Sequence, residues 1–371
     1  RGMTRGIAPL ILGYQAFDAR IRIGGVILNR LGGSRHEAKL RAVIEHYTDV
    51  PVLGAVHEDE QLAMTERHLG LMPCAEVGDA QARVRAIGER VAAQVDLARV
   101  RALAESAGPC PEGAEAVRPA GLALPQAIDA QTWPRPDLRI GVARDRAFGF
   151  YYPDDLAALQ AAGAELVPID TLHDRELPAL DALFIGGGFP ETCLDELQAN
   201  ASMRRSVKQA IEAGLPTYAE CGGLMYLSRR IEWQGRSAEM VGVIPGDAVM
   251  QVRPVGRGYV HLEPTGALPW PEAPAEAIAG PADAAGGLVR GHEFHHSRLV
   301  NLPAGLAYAW RVRRGHGIDG QFDGLLMHRL LASYAHLRSL AGSGWAARFV
   351  HYARGCRESR ASAATAALPI A

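Results

Sequence analysis

Lysine is almost missing from this 371-residue chain: Lys39 and Lys208 are the only two, so nearly all of its positive charge is arginine. Neither follows a glycine, which leaves the sequence without a Gly-Lys-Ser/Thr phosphate loop. No apolar run approaches the eighteen or more residues of a membrane span, and the N-terminus lacks the charged-then-apolar order of a secretory signal. The cytoplasm is the expected address, without a membrane partner. The formal net charge is only -2, which gives the chain no electrostatic reason to bind nucleic acid. The five cysteines (Cys74, Cys110, Cys193, Cys221, Cys356) are odd in number, widely spaced and free of C-x-x-C pairs. Neither a disulfide framework nor a metal site is expected from them. The chain also opens on Arg1 instead of a methionine, and is expected to be a fragment.

What is present is an alternation of short β-branched runs with amphipathic stretches. Residues 23–28 read as a buried strand, 37–46 as a helix, 51–56 as a strand and 80–104 as a charged helical stretch. Periodicity then disappears in a Pro, Ala and Gly-rich segment, 109–136, that reads as an inter-domain linker. A clearer βαβ rhythm follows, with strands at 138–143, 165–169, 182–185 and 215–219 and helices at 153–162, 203–213 and from 222. Residues 271–287 form an Ala/Pro/Gly loop of low information content.

The chemistry concentrates where the strand at 215–219 meets the helix at 222. In Thr217-Tyr218-Ala219-Glu220-Cys221-Gly222-Gly223-Leu224 an apolar strand runs into a cysteine and two glycines. Glycines beside a nucleophile let the backbone turn sharply and expose the side chain at the carboxyl end of a parallel sheet. The helix N-terminus behind the sulfur suits negative charge there and offers amides to an oxyanion. An arbitrary free cysteine is more often simply buried; neither Cys193 nor Cys356 has this setting. The run Gly186-Gly187-Gly188 ends a neighbouring strand and could aim an amide at the same oxyanion, or be a plain tight turn. A nucleophilic cysteine needs a base, and the C-terminal third supplies His261, His292, His295, His296, His316, His328, His336 and His351. Two clusters stand out, around His295 in Gly291-His292-Glu293-Phe294-His295-His296 and around His336 in Ser333-Tyr334-Ala335-His336. Spacing does not choose between them.

Three motifs in order, Gly186-Gly187-Gly188-Phe189-Pro190-Glu191, Tyr218-Ala219-Glu220-Cys221-Gly222-Gly223-Leu224 and Arg290-Gly291-His292-Glu293-Phe294-His295, resemble the cobyrinic acid a,c-diamide synthase family. Phe148-Gly149-Phe150-Tyr151-Tyr152-Pro153 and the segment from Asp323 to His336 extend the likeness to nearly the whole chain. The resemblance implies an α/β chain. Residues 137–355 would be a class I glutamine amidotransferase (flavodoxin-like) domain, and 1–108 the C-terminal part of a P-loop, dethiobiotin-synthetase-like α/β domain. The linker at 109–136 would join them, and 356–371 would be a disordered tail.

The resemblance further implies Cys221 as nucleophile and His336 as base, in a type that lacks the usual acidic third member. Gly187, Gly188 and Gly222 would serve the oxyanion and glutamine, and His295 would shape the site or rank second as base. The family activates acetate side chains of a tetrapyrrole with ATP and Mg²⁺, then captures ammonia from glutamine. By likeness to a late strand of the ligase fold, Asn29 in Gly24-Gly25-Val26-Ile27-Leu28-Asn29-Arg30 would meet the adenine; otherwise it simply ends a strand before a Gly-rich turn. The missing phosphate loop implies that the chain starts after that part of the ligase. The expected partners are glutamine and a tetrapyrrole, with room for a homodimer. Cobyrinate or hydrogenobyrinate in cobalamin biosynthesis leads, ahead of a sirohaem-like compound or a nickel sirohydrochlorin. A non-catalytic amidotransferase-fold module and a different cysteine hydrolase are the readings from other classes. Arg338 stands where the family often has a second histidine.

Overall fold

The computed structural model describes residues 3–63, 80–107, 134–271, 287–339 and 344–366. It divides into two compact units, Arg1–Ala114 and Glu115–Ala371.

The first unit contains helix α1 (Ile7–Phe17), strand β1 (Val26–Leu31), helix α2 (Ser34–Tyr47), strand β2 (Val52–His57) and helices α3 (Ala80–Ala92) and α4 (Leu97–Glu105). β1 and β2 pair in parallel over a small core that includes Ile11, Leu28, Leu31, Leu40 and Ile44. The strand expected at 23–28 lies later in the chain, because it begins where its partner does, with Val26 opposite Val52. The helix expected over 80–104 is two helices. Gln94 accepts from Ala55, Asp96 donates its amide to Leu53, and the Asp96 side chain caps α4 by accepting from the Arg99 amide at 3.0 Å. Pairing with β2 and a capping carboxylate outcompete helix continuation there. α1 carries no sequence signal of amphipathicity, since Leu10, Leu12, Tyr14 and Phe17 are exposed beside buried Ala8 and Ile11.

In the second unit, β3 (Leu138–Ala143), β4 (Phe148–Phe150), α5 (Pro153–Ala161), β5 (Ala164–Ile169), β6 (Ala182–Ile185) and β7 (Gly187–Gly188) come first. Next are α6 (Leu194–Ala199), α7 (Ala201–Glu212), β8 (Thr217–Glu220) and α8 (Gly222–Leu227). Local chemistry explains the helices. Pro153 opens α5 and Asp154 and Asp155 occupy its first turn, where the helix dipole favours negative charge. In α7, Asn200 caps the Met203 amide, and Met203, Val207 and Ile211 bury one face at a four-residue spacing.

The remainder is mostly antiparallel: β9 (Arg230–Trp233), β10 (Arg236–Glu239), β11 (Asp247–Met250), β12 (Gly256–Pro264), β13 (Val289–His295), β14 (Ser297–Val300), β15 (Ala307–Arg314), β16 (Phe322–Met327), β17 (Leu330–Ser333) and β18 (His336–Leu337), then α9 (Trp345–Ala366). One ten-stranded sheet runs β18-β13-β12-β15-β16-β17-β8-β6-β3-β5. Its β17-β8-β6-β3-β5 part is parallel, so β8 lies in the interior of the sheet with its carboxyl end beside that of β17. Beneath β8, Tyr218 stacks on Phe184 at 5.3 Å between ring centroids and meets Trp345 of α9 at 4.9 Å. Such aromatic pairs add about 0.5–1.5 kcal/mol each beyond area burial. They fix the strand that carries the cysteine.

Residues 356–366, expected to be disordered, continue α9. Its apolar side explains this: Trp345, Phe349, Val350 and Ala353 are buried, and Arg354 pairs with Asp137 at 2.7 Å. Residues 367–371, most of the linker (109–133) and 272–286 of the Ala/Pro/Gly loop lie outside the described residues.

Candidate active site

β8 delivers four buried residues, Thr217 to Glu220, and the chain then turns at Cys221 with φ 47° and ψ -99°. A positive φ is costly for a residue with a Cβ and persists only where the surroundings enforce it. Here the Cys221 amide donates to Ser333 O at 2.7 Å, and α8 starts at once on Gly222. The two glycine runs meet at this turn. A Cβ on Gly222 would stand 2.9 Å from Gly188 N, and one on Gly188 would stand 1.9 Å from Ala147 O. Only glycine lets these backbones pack so closely, which brings the loop of Gly187 and Gly188 beside the cysteine.

The sheet brings the histidine from far along the chain. β17 runs beside β8, with Ser333 opposite Glu220, and after two intervening residues β18 joins β13 with His336 opposite His292. His336 is buried and interacts with Cys221, which helps to raise its pKa, while Cys221 Sγ approaches the Phe294 carbonyl at 4.0 Å. Phe150 sets its ring edgewise on the imidazole at 5.1 Å, and Gly187 leaves the space beside Cε1, where a Cβ would stand at 2.6 Å. Burial opposes the charged imidazole, but hydrogen bonds to Cys221 and Glu220 outweigh it and hold His336 up at about 10.

His295 is placed differently. It is buried, its Nδ1 donates to Ser297 O at 2.9 Å, and its ring stacks on Tyr334 at 3.8 Å. Its Nε2 makes no hydrogen bond and lies 3.8 Å from Glu293. Of the two histidine clusters that spacing left open, it is His336 whose pKa responds to Cys221. Asn29 lies in the first unit, on β1, with its side chain accepting from the Arg30 amide at 2.8 Å. Beyond the ends of β1 and β2, residues including Leu31, Gly33, His57 and Glu58 line a cavity of about 470 Å³. Among the described residues no three His, Cys, Asp or Glu side chains converge to hold a metal ion, and no helix is long and apolar enough to cross a membrane.

The family model for CobB/CobQ-like glutamine amidotransferase domains matches residues 139–343, the segment that holds every residue of this site. A cobyrinate a,c-diamide synthase of Magnetococcus marinus is 39% identical over 349 residues, covering 93% of this chain and 70% of that protein. One from Methanosarcina acetivorans is 40% identical, with 97% of this chain and 72% of the relative covered. The chain belongs to the cobyrinate a,c-diamide synthase family. A further relative of that name, from Listeria innocua, is 34% identical over 91% of the chain and 69% of its own length.

Beyond the residues read from sequence for this family, the site contains one more, Glu220. Its carboxylate is buried, with Oε2 3.1 Å from His336 Nδ1, while Oε1 accepts from the Leu337 amide at 3.1 Å and from the Tyr218 hydroxyl at 2.5 Å. The available signal was an acid closing an otherwise uncharged strand, next to the cysteine. Arg338 pairs with Asp154 and lies over the Tyr152 ring at 4.2 Å, and Ser339 N donates to Asp155 at 2.7 Å. These contacts tie the chain just past His336 to the start of α5.

Proposed function

We propose that this chain carries the glutaminase half of a cobyrinate a,c-diamide synthase, supplying ammonia for the glutamine-dependent amidation of the a and c acetate side chains of a corrin-type tetrapyrrole. The observation that carries the reading is Cys221 on its strained turn, flanked by the packed glycine runs, with the buried His336 interacting with it. In the first step the Cys221 sulfur attacks the carboxamide carbon of glutamine, with its proton on His336. Amides of Gly188 and Gly222 stabilise the oxyanion that forms, a role worth several kcal/mol in acyl transfer. His336 passes its proton to the nitrogen as the C–N bond breaks, and ammonia leaves. Water then attacks the thioester, giving its proton to His336, and glutamate departs as the C–S bond breaks.

The ligase half of the reaction draws on ATP and Mg²⁺. The residues present do not fit a phosphate site: Lys39 and Lys208 follow no glycine, and no acidic cluster converges among the described residues. No step of carboxylate activation is therefore assigned to them. The cavity beyond β1 and β2 lies at the carboxyl ends of parallel strands, where α/β sheets bind ligands, and adenine near Asn29 is the nucleotide contact this reading assigns.

The test is glutamate release from glutamine. Wild-type protein should exceed both Cys221→Ala and His336→Ala by on the order of 10³-fold or more. Wild-type release equal to that of Cys221→Ala would overturn the reading.

A further inference from the structure

A histidine that serves a thiol must present a basic nitrogen to it and must not rotate away. In triads this is the work of a group on the opposite ring nitrogen. The resemblance pointed to a cysteine and histidine with no such group, yet Glu220 occupies the place. An ionised carboxylate only accepts hydrogen bonds, so Nδ1 at 3.1 Å from Glu220 Oε2 must carry the proton of that contact. Nε2 is then the nitrogen left for Cys221. The second carboxylate oxygen holds the amide of Leu337, the residue after the imidazole, and is itself fixed by Tyr218. One buried side chain thus grips both the ring of His336 and the backbone beside it.

The arrangement depends on the turn. Along an ordinary strand, residues 220 and 221 would point to opposite faces of the sheet. The positive φ of Cys221 ends that alternation, so sequence neighbours can meet the two nitrogens of one ring. We propose that Glu220 is a positioning residue that orients His336 and fixes its tautomer, completing a Cys221–His336–Glu220 triad in which acid and nucleophile are adjacent in sequence. This rests on the reading of Cys221 and His336 as nucleophile and base. Glu220 makes and breaks no bond in the reaction; the proton moves between sulfur, Nε2 and the leaving nitrogen while the Nδ1 proton stays in place.

The groups that face this pair are few. Cys221 lies on the turn, His292 opposite His336 on β13, Tyr218 on β8, and Tyr151, Tyr152 and Asp155 at or just before the start of α5. Burial first, and then the charge of His336, lowers His292, so it titrates below His336. Tyr151, Tyr152 and Tyr218 are all raised, chiefly by burial.

The test compares Glu220→Gln, Glu220→Asp and Cys221→Ala with wild type in the whole chain. It follows glutaminase kcat and KM across pH and the rate of Cys221 alkylation by iodoacetamide across pH. Glu220→Gln should lower kcat about 10²- to 10⁴-fold with KM within about threefold, the range expected when a triad loses its tautomer-fixing acid. The alkaline limb assigned to His336 should move to lower pH in both assays. Glu220→Asp, which keeps the charge, should recover part of the rate and return the limb toward wild type. A Gln variant with wild-type kcat and an unmoved limb overturns the proposal. So do Gln and Asp variants that lose rate equally, in step with their thermal midpoints, with the limb in place, because that is the pattern of a structural role. Wild type no faster than Cys221→Ala would instead remove the enzyme reading itself.

Discussion

Asp155 shows how one buried side chain sets a pH response beside the site. Burial, the largest cause, pushes its carboxyl up to about 7, although the Ser339 amide donates to it at 2.7 Å. Its folded pKa is raised above the unfolded value, so its contribution to stability is fully present below about pH 4 and is lost as pH rises through about 7. Asp155→Asn can keep the Ser339 bond without the charge. Urea denaturation of wild type and variant should diverge between pH 4 and 7, with the variant gaining relative stability of up to roughly 4 kcal/mol above pH 7. His336 acts in a higher window. Its raised pKa of about 10 gives stability that is present below about pH 6.5 and lost as pH rises through about 10.

Steric limits at the glycine loop are equally local. Gly188→Ala would put a methyl group 1.9 Å from the Ala147 carbonyl oxygen, and backbone cannot swing away as a side chain can. The variant should lose about 2–4 kcal/mol in chemical denaturation, together with its glutaminase activity. Most of this neighbourhood was legible in sequence. A strand, a cysteine and two glycines are consecutive, and the local conformation they need is a property of the short segment itself. The role of Glu220 was not legible, because in sequence it is one more acid and its partner stands 116 residues away.

At the scale of elements, the short strand β18 is what brings the imidazole to the sulfur, and its anchors are unequal. Its pairing with β13 lies within the sheet, whereas the Arg338–Asp154 ion pair is partly exposed, with Arg338 39% accessible. Exposed pairs contribute about 0–1 kcal/mol. Arg338→Ala should therefore cost about 1 kcal/mol in thermal or urea denaturation and leave kcat within about threefold of wild type. A larger fall in kcat would assign the arginine to the chemistry.

The first unit offers a second element-scale case. Its sequence between 80 and 104 carries helical periodicity throughout, and only the contacts of residues 94–96 with β2 reveal the break. Asp96→Ala removes the cap of α4 and should destabilise that unit by about 1 kcal/mol, measured by hydrogen exchange of its amides. The boundaries of β3, β5, β6 and β8 were readable to within two residues, since buried parallel strands are largely apolar runs, whereas β17 was not read. The antiparallel strands between 230 and 337 were largely unread. Their polar and apolar residues answer to curvature and to several partners instead of a single alternating face.

At the scale of the whole molecule, every residue of the candidate site comes from the second unit, and its large hydrophobic clusters are built from that unit alone. A protein beginning at Arg135 should keep glutaminase activity within about an order of magnitude of the 371-residue chain, read as glutamate release. Loss of folding on that truncation would show that the first unit supports the second.

The sequence by itself determined the family and much of the parallel sheet, and it singled out Cys221 as the candidate nucleophile. Each rests on consecutive residues: ordered motifs, βα alternation, and a cysteine held between a strand and a glycine pair. Only the tertiary structure decided which of eight histidines reaches Cys221 and that Glu220 stands behind it. The reason is the order of strands in the sheet. β8 meets β17 in register although more than a hundred residues separate them, and β17 then sends His336 to the edge beside β13. Such a neighbourhood is set by long-range pairing, which no local pattern records.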